Sequence, residues 1–150
     1  MTRIEKVIYT AKARTTGGRD GGASRTDDGR LDIKLSTPGG AGTGTNPEQL
    51  FACGWSTCYL SAIQLIARRK RIPLGLDARI DVEVDLGLAN GVHVLAARLN
   101  VTLPGVDHQV AQQLADEAHH ICPYSNATRG NIEVVTTVLT GTPVQLAQNA

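Results

Sequence analysis

Three cysteines, at positions 53, 58 and 122, are the residues of this chain best suited to chemistry. They form no Cys-x-x-Cys pair, and the histidines at 93, 108, 119 and 120 do not complete the ligand spacing of a zinc site, so we expect no metal. The sequence GWST at 54–57 lacks the second glycine of a serine-nucleophile elbow, which argues against a hydrolase. Thiol redox chemistry remains, although spacing alone does not establish it.

The composition is that of one ordinary domain with balanced charge. Fifteen Lys and Arg residues against fourteen Asp and Glu give a net charge of +1, which offers no general attraction for nucleic acid or anionic lipid. Residues 1–13 contain no apolar signal-peptide region, and no run of eighteen apolar residues occurs. We therefore expect a single domain over residues 1–150, in the cytoplasm, with a small-molecule partner and no nucleic-acid or membrane partner. An odd number of cysteines in that reducing compartment is not a disulfide framework.

Alternating apolar residues predict several strands. The expected segments are 3–14, 31–35, 78–86, 93–103 and 132–139. The glycine-rich stretch 15–30 has the composition of an exposed loop or a long hairpin connection. The third and fourth strands are expected to form a hairpin joined through residues 87–91.

Two main helices are expected between and after these strands. The first begins at Thr45 or Asn46 as N-cap, with Pro47 at or near the first helical position, and residues 50–66 are apolar on nearly every face, as in a buried helix. Asp107 caps the second helix, which ends or kinks at Cys122 because proline follows. Strands and helices together give an α+β fold class.

Three separated motifs resemble those of the Ohr/OsmC family, the organic hydroperoxide resistance and OsmC-like proteins. They are TNPEQLFA at 45–52 followed by GWSTCYL at 54–60, CPYSNATRGN at 122–131, and GGRDG at 17–21. The last looks like the arginine loop of the Ohr branch, so the broader OsmC-like branch is the nearest alternative. The resemblance implies antiparallel sheets packed on two main helices, in an intertwined homodimer.

The resemblance also implies a thiol peroxidase that reduces alkyl and fatty acid hydroperoxides to alcohols in the oxidative stress response. Cys58 would be the nucleophile that becomes a sulfenic acid, and Cys122 would be the resolving thiol that forms a disulfide with it. Arg19 would favour the Cys58 thiolate and stabilise the leaving alkoxide, and Glu48 would orient Arg19 through a bidentate pair. Without the resemblance, a buried cysteine is usually only a small apolar side chain, and the helix dipole alone would explain Glu48.

The residues expected near Cys58 suggest which substrate it would react with. Phe51, Trp55 and Tyr124 would line an apolar pocket that favours an alkyl tail. Cys53 lies about 140° around the helix from Cys58 and is expected to be a buried spectator. No bound cofactor is needed, and the resemblance implies an external dithiol reductant such as dihydrolipoamide on a lipoylated protein.

Two questions stay open from the sequence. On one continuous helix, Glu48 and Cys58 would be roughly 15 Å apart along the axis and could not share a site. Either the helix is broken near Gly54, or the two residues of one site come from different subunits. The alternative function is a thiol redox sensor or binding module that reacts without turnover, although no DNA-binding helix pair or basic face supports regulation.

Overall fold

The computed structural model describes residues 3–141, which form two compact units whose boundary falls between Pro47 and Glu48. The first unit holds a three-stranded antiparallel sheet in the order β1-β2-β3. Its strands are β1 (Ala13–Thr16), β2 (Ala23–Thr26) and β3 (Asp32–Lys34). A single domain over residues 1–150 stays a prediction.

The first unit differs from expectation at two places. Of the strand predicted over 3–14, only residues 13 and 14 belong to β1, because 3–12 pairs with no strand within the described chain. The stretch predicted as an exposed loop or a long hairpin connection contains β2, whose small and polar residues carry no apolar alternation that a pattern could detect. A tight turn joins β1 to β2. A Cβ at Gly22 would collide with the carbonyl oxygen of Gly18, so this turn requires glycine.

The second unit contains three helices and a three-stranded sheet in the order β4-β5-β6. Its elements are α1 (Pro47–Lys70), β4 (Arg79–Ala89), β5 (Val92–Thr102), α2 (His108–Ile121), α3 (Pro123–Thr128) and β6 (Glu133–Leu139). The β4–β5 hairpin was predicted, but its turn is shorter than expected and consists of Asn90 and Gly91. Both have positive φ, 52° and 78°, which is the backbone that a two-residue hairpin turn favours.

The pairing of β6 corrects the expectation of purely antiparallel sheets. β6 runs parallel to β5, with Leu99 opposite Thr136, so the second sheet is mixed. Two helices, α2 and α3, separate these strands in sequence, and a crossover of that length returns the chain in the same direction. The alternating apolar pattern predicts strand β6 but does not indicate whether it runs parallel or antiparallel to β5.

The core of the second unit lies where α1, α2 and β5 pack together. Side chains with no exposed surface come from each element, and they include Trp55, Tyr59, Ile63, Leu99, Val101 and Leu114. The predicted α+β fold with a sheet packed on two main helices is therefore confirmed. By length and composition alone α1 could also cross a membrane, a criterion that core helices of soluble proteins satisfy equally.

Candidate active site

The sulfur atoms of Cys58 and Cys122 are 3.4 Å apart. Cys58 is half-buried in the middle of α1, Cys122 is fully buried, and all three cysteines of the chain are free thiols. A disulfide bond is about 2 Å long, so closing it requires an approach of about 1.4 Å. Among residues 3–141, no group of three or more His, Cys, Asp or Glu side chains is placed to hold a metal ion.

Cys122 occupies the corner between α2 and α3. The carboxylate of Asp107 accepts hydrogen bonds from the backbone of Gln109 and Val110, as its predicted role of N-cap requires, and α2 then runs to Ile121. Cys122 itself is extended, with φ −69° and ψ 120°, because the following proline disfavours helical backbone there. This break ends α2 and starts α3, and it presents the Cys122 sulfur to α1.

The groups around Cys58 in its own unit favour the neutral thiol. Burial raises the pKa of the Cys58 thiol, and this is the largest effect. The backbone N–H of Tyr124, in the first turn of α3, lowers the pKa by hydrogen bonding to the sulfur, whereas the neighbouring Cys122 raises it. A nucleophilic Cys58 at neutral pH therefore needs a further favourable charge.

Three aromatic residues predicted to form the pocket lie next to one another. The rings of Phe51 and Trp55 meet edge to face at 5.5 Å, and those of Phe51 and Tyr124 at 5.8 Å. A Cβ on Gly54 would lie 2.5 Å from the Tyr124 hydroxyl, so this glycine lets the Tyr124 ring pack against α1. Trp55 has no exposed surface, whereas Phe51 and Tyr124 do. Of the three predicted pocket residues, only Phe51 and Tyr124 therefore have surface that another molecule could contact, and Trp55 packs against Phe51 from the core.

Arg19 and Glu48 belong to different units of the chain. Arg19 is exposed in the turn between β1 and β2, and Glu48 is half-buried in the first turn of α1. α1 is continuous from Pro47 to Lys70, so the explanation based on a helix break near Gly54 is wrong. Ten residues of unbroken helix separate Glu48 and Cys58 of one subunit by about 15 Å along the axis.

Cys53 is exposed, which corrects the expectation that it is buried. Its backbone carbonyl accepts hydrogen bonds from the hydroxyls of Ser56 and Thr57, at 3.1 and 2.9 Å. The angle of about 140° from Cys58 places it away from the buried face of α1. The segment is apolar on nearly every side, so its composition did not reveal which side faces the core.

A chain of polar contacts behind the cysteine pair escaped the sequence analysis. The Trp55 indole N–H donates to the Ser125 hydroxyl at 3.2 Å, and the Nδ1 atom of His119 lies 3.1 Å from the same oxygen. The Nε2 atom of His119 is 2.8 Å from the Thr136 hydroxyl. The four residues come from α1, α3, α2 and β6, so no local pattern could have indicated their meeting. The spacing of His119 and Ser125, each three residues from Cys122, was the one available signal.

The α+β fold and the paired thiols define a class of protein, and the chain belongs to the OsmC-like protein family, whose model matches residues 39–137. It is 46% identical over 142 residues to the organic hydroperoxide resistance protein of Xanthomonas axonopodis pv. citri, covering 92% of this chain and 99% of that protein. The crystal structure of an organic hydroperoxide resistance protein from Legionella pneumophila matches with a TM-score of 0.84 at 40% identity, covering 90% and 100% of the two chains. OhrB of Bacillus subtilis matches with a TM-score of 0.82 at 38% identity, covering 88% and 99%. The predicted membership of the Ohr/OsmC family is confirmed.

Proposed function

We propose that this protein is a thiol peroxidase that reduces organic hydroperoxides, with Cys58 as nucleophile and Cys122 as resolving thiol. The observation that carries the proposal is the 3.4 Å separation of the two sulfur atoms at a corner between helices. Relatives that are 46% identical over nearly their whole length carry the name organic hydroperoxide resistance protein, which supports the substrate class.

The first step is attack of the Cys58 thiolate on the terminal oxygen of ROOH. The O–O bond breaks, the sulfur becomes a sulfenic acid, and the alkoxide RO⁻ leaves and is protonated to the alcohol. Burial raises the pKa of the Cys58 thiol and therefore opposes formation of the thiolate. The guanidinium of Arg19 supplies the opposing charge and also stabilises the leaving alkoxide.

The second step joins the two cysteines. The Cys122 thiol displaces hydroxide from the sulfenic sulfur, so that one disulfide and one water form and the sulfenic acid is protected from further oxidation. An external dithiol then exchanges with this disulfide, returning both thiols and becoming a cyclic disulfide itself. By family resemblance this reductant is dihydrolipoamide on a lipoylated protein, acting in the cytoplasm without a bound cofactor.

Glu48 holds the Arg19 guanidinium through a bidentate pair, in an active site shared by two subunits. Continuity of α1 keeps Glu48 and Cys58 of one chain apart, so an intertwined homodimer supplies them from different chains. Apolar side chains that a second copy could cover are exposed on this chain, and they include Ile4, Val7, Ile8, Tyr9, Leu88 and Val92. Segment 3–12 also keeps the alternation of a strand that finds no strand partner within the described chain.

Subunit complementation tests this shared site. Glu48→Gln and Cys58→Ser homodimers are each expected to be strongly impaired. A heterodimer of the two contains one site with an intact Cys58 and an intact Glu48 from opposite chains, so we expect about half of the wild-type activity per dimer. Co-expression with two affinity tags isolates the heterodimer for a peroxidase assay. No recovery would place Glu48 and Cys58 of each site in the same chain.

Substrate selectivity and turnover test the proposed function as a whole. Wild-type protein with dihydrolipoamide is expected to consume many equivalents of cumene or fatty acid hydroperoxide per subunit. Hydrogen peroxide should react at least about tenfold more slowly, because it has no alkyl group to bury against Phe51 and Tyr124. Consumption that stops near one equivalent would instead favour a redox sensor or binding module.

A further inference from the structure

The polar chain that links Trp55, Ser125, His119 and Thr136 lies behind the cysteine pair. It is buried at Trp55 and Ser125, is half-buried at His119 and Thr136, and takes no part in the proposed peroxidase chemistry. Ser125 is only 4% exposed, so its hydroxyl is constrained to use protein partners. An indole N–H only donates, and therefore the Ser125 oxygen accepts from Trp55. The hydroxyl proton of Ser125 is then available to the Nδ1 atom of His119, 3.1 Å away.

This direction of hydrogen bonding fits a neutral His119. With Nδ1 accepting from Ser125, the ring proton sits on Nε2 and is donated to the Thr136 hydroxyl at 2.8 Å. A doubly protonated ring would make Nδ1 a donor, and the Ser125 hydroxyl proton would then lose His119 as its acceptor. The Ser125–His119 hydrogen bond therefore has this direction only when His119 is neutral.

The charged and titratable groups around His119 act in both directions. Burial lowers the pKa of His119 most, Asp116 on the same helix raises it, and Arg129 and His120 lower it. From α1, the Tyr59 ring lies 4.5 Å from the imidazole, and from β6 the neighbour is the uncharged Thr136. The balance keeps the imidazole neutral at pH 7.

The same contacts span the corner that carries Cys122. His119 lies one turn before Cys122 on α2, and Ser125 lies one turn after it on α3, so their contact brackets the extended residue between the two helices. The four residues of the polar chain also border a cavity of about 310 Å³, whose lining includes Thr128, Gly130 and Ile132. The cavity leaves this side of the corner without close packing, so the hydrogen bonds of His119 and Ser125 help to hold the corner in place.

We propose that His119 is a positioning residue for the resolving step: bonded to Ser125 and Thr136, it holds the corner that keeps the Cys122 sulfur against Cys58. The inference rests on the proposed function, because it concerns the condensation of a Cys58 sulfenic acid with the Cys122 thiol to a disulfide and water. Attack on the hydroperoxide needs only Cys58, whereas resolution needs the second sulfur to approach by about 1.4 Å in the correct direction. Loosening the corner therefore slows the second step far more than the first.

Two variants interrupt the polar chain with little change in side-chain shape. His119→Phe keeps a ring beside Tyr59 and removes both nitrogens, and Ser125→Ala removes one hydroxyl. His120→Gln, on the exposed neighbour, is the matched control.

In rapid-mixing experiments, we expect disulfide formation to slow about tenfold in both His119→Phe and Ser125→Ala, while oxidation of Cys58 changes by less than about threefold. At excess hydroperoxide, more Cys58 should reach the sulfinic acid, as in the limiting Cys122→Ser variant. Wild-type resolution in both variants, or an equal loss in both steps, would overturn the proposal.

The single tryptophan of the chain gives a second readout that needs no peroxide. In the reduced wild type and in His120→Gln, the fluorescence emission of Trp55 should change with pH, with a midpoint below the ordinary histidine pKa of about 6.5. His119→Phe should abolish that transition. An unchanged titration in His119→Phe would count against the proposal.

Diamide oxidation of the cysteine pair repeats the kinetic comparison without hydroperoxide. If the wild type does not turn over hydroperoxide but the diamide rates still separate the variants, the proposed function fails and the positioning role stands.

Discussion

Replacing Cys58 with serine is expected to abolish hydroperoxide turnover, with a loss of at least about a thousandfold. A serine hydroxyl is not ionised near neutral pH and cannot form a sulfenic acid, so neither step of the cycle remains. The measurement is the loss of cumene hydroperoxide over time in the presence of dihydrolipoamide. In the proposed cycle Cys58, which lies 3.4 Å from Cys122, is the disulfide partner as well as the nucleophile, so the variant should also form no Cys58–Cys122 disulfide.

Cys53→Ser is the matched control for this experiment. Cys53 lies five residues earlier on the same helix and is exposed, so its replacement removes a thiol without disturbing the core. We expect activity within about twofold of wild type, as for a surface substitution away from the site. Retained activity in Cys58→Ser, or a collapse in Cys53→Ser, would mean that the nucleophile has been assigned to the wrong cysteine.

Arg19→Ala is expected to have the next largest effect, a fall of about 10²–10³ in the rate of hydroperoxide attack. Burial already raises the pKa of the Cys58 thiol, and removing a guanidinium would take away the positive charge proposed to oppose that effect. The pKa should therefore move further upward, and alkylation of Cys58 by iodoacetamide should shift to higher pH. Arg19→Lys keeps the charge but not the planar fork that a carboxylate holds, so an intermediate loss is expected.

Arg30→Ala controls for a general loss of positive charge in the first unit. Arg30 is exposed and its guanidinium lies 3.5 Å from the carboxylate of Asp28, a surface pair of small energetic weight. Its removal should leave both the rate and the pH profile of Cys58 alkylation unchanged. An Arg19→Ala variant whose alkylation profile stays in place would show that this arginine does not serve the Cys58 sulfur.

Elements with strong local signals were predictable from the sequence. The Asp107 cap, the break at Pro123 and the start of α1 at Pro47 each depend on residues adjacent in sequence, and all three are present. The β4–β5 hairpin followed from two long alternating runs. The spacing of the cysteines did not predict their meeting. The family motifs suggested it, and the fold brings the two sulfur atoms together.

Features that depend on distant parts of the chain were missed. β2 has too few apolar residues to show alternation, and the parallel direction of β6 depends on the path of two intervening helices. The exposure of Cys53 depends on which face of an almost wholly apolar helix packs inward. The contacts of His119 join four elements, and only tertiary packing creates them.

Mapping the disulfide after oxidation tests the proposed roles of Cys58 and Cys122 together. Reduced protein is treated with about one equivalent of cumene hydroperoxide, its remaining thiols are alkylated, and its peptides are analysed by mass spectrometry without reduction. We expect a Cys58–Cys122 disulfide, with the loss of two hydrogens, and an alkylated Cys53. A link that includes Cys53, or an oxidised Cys58 beside a free Cys122 thiol, would contradict these roles.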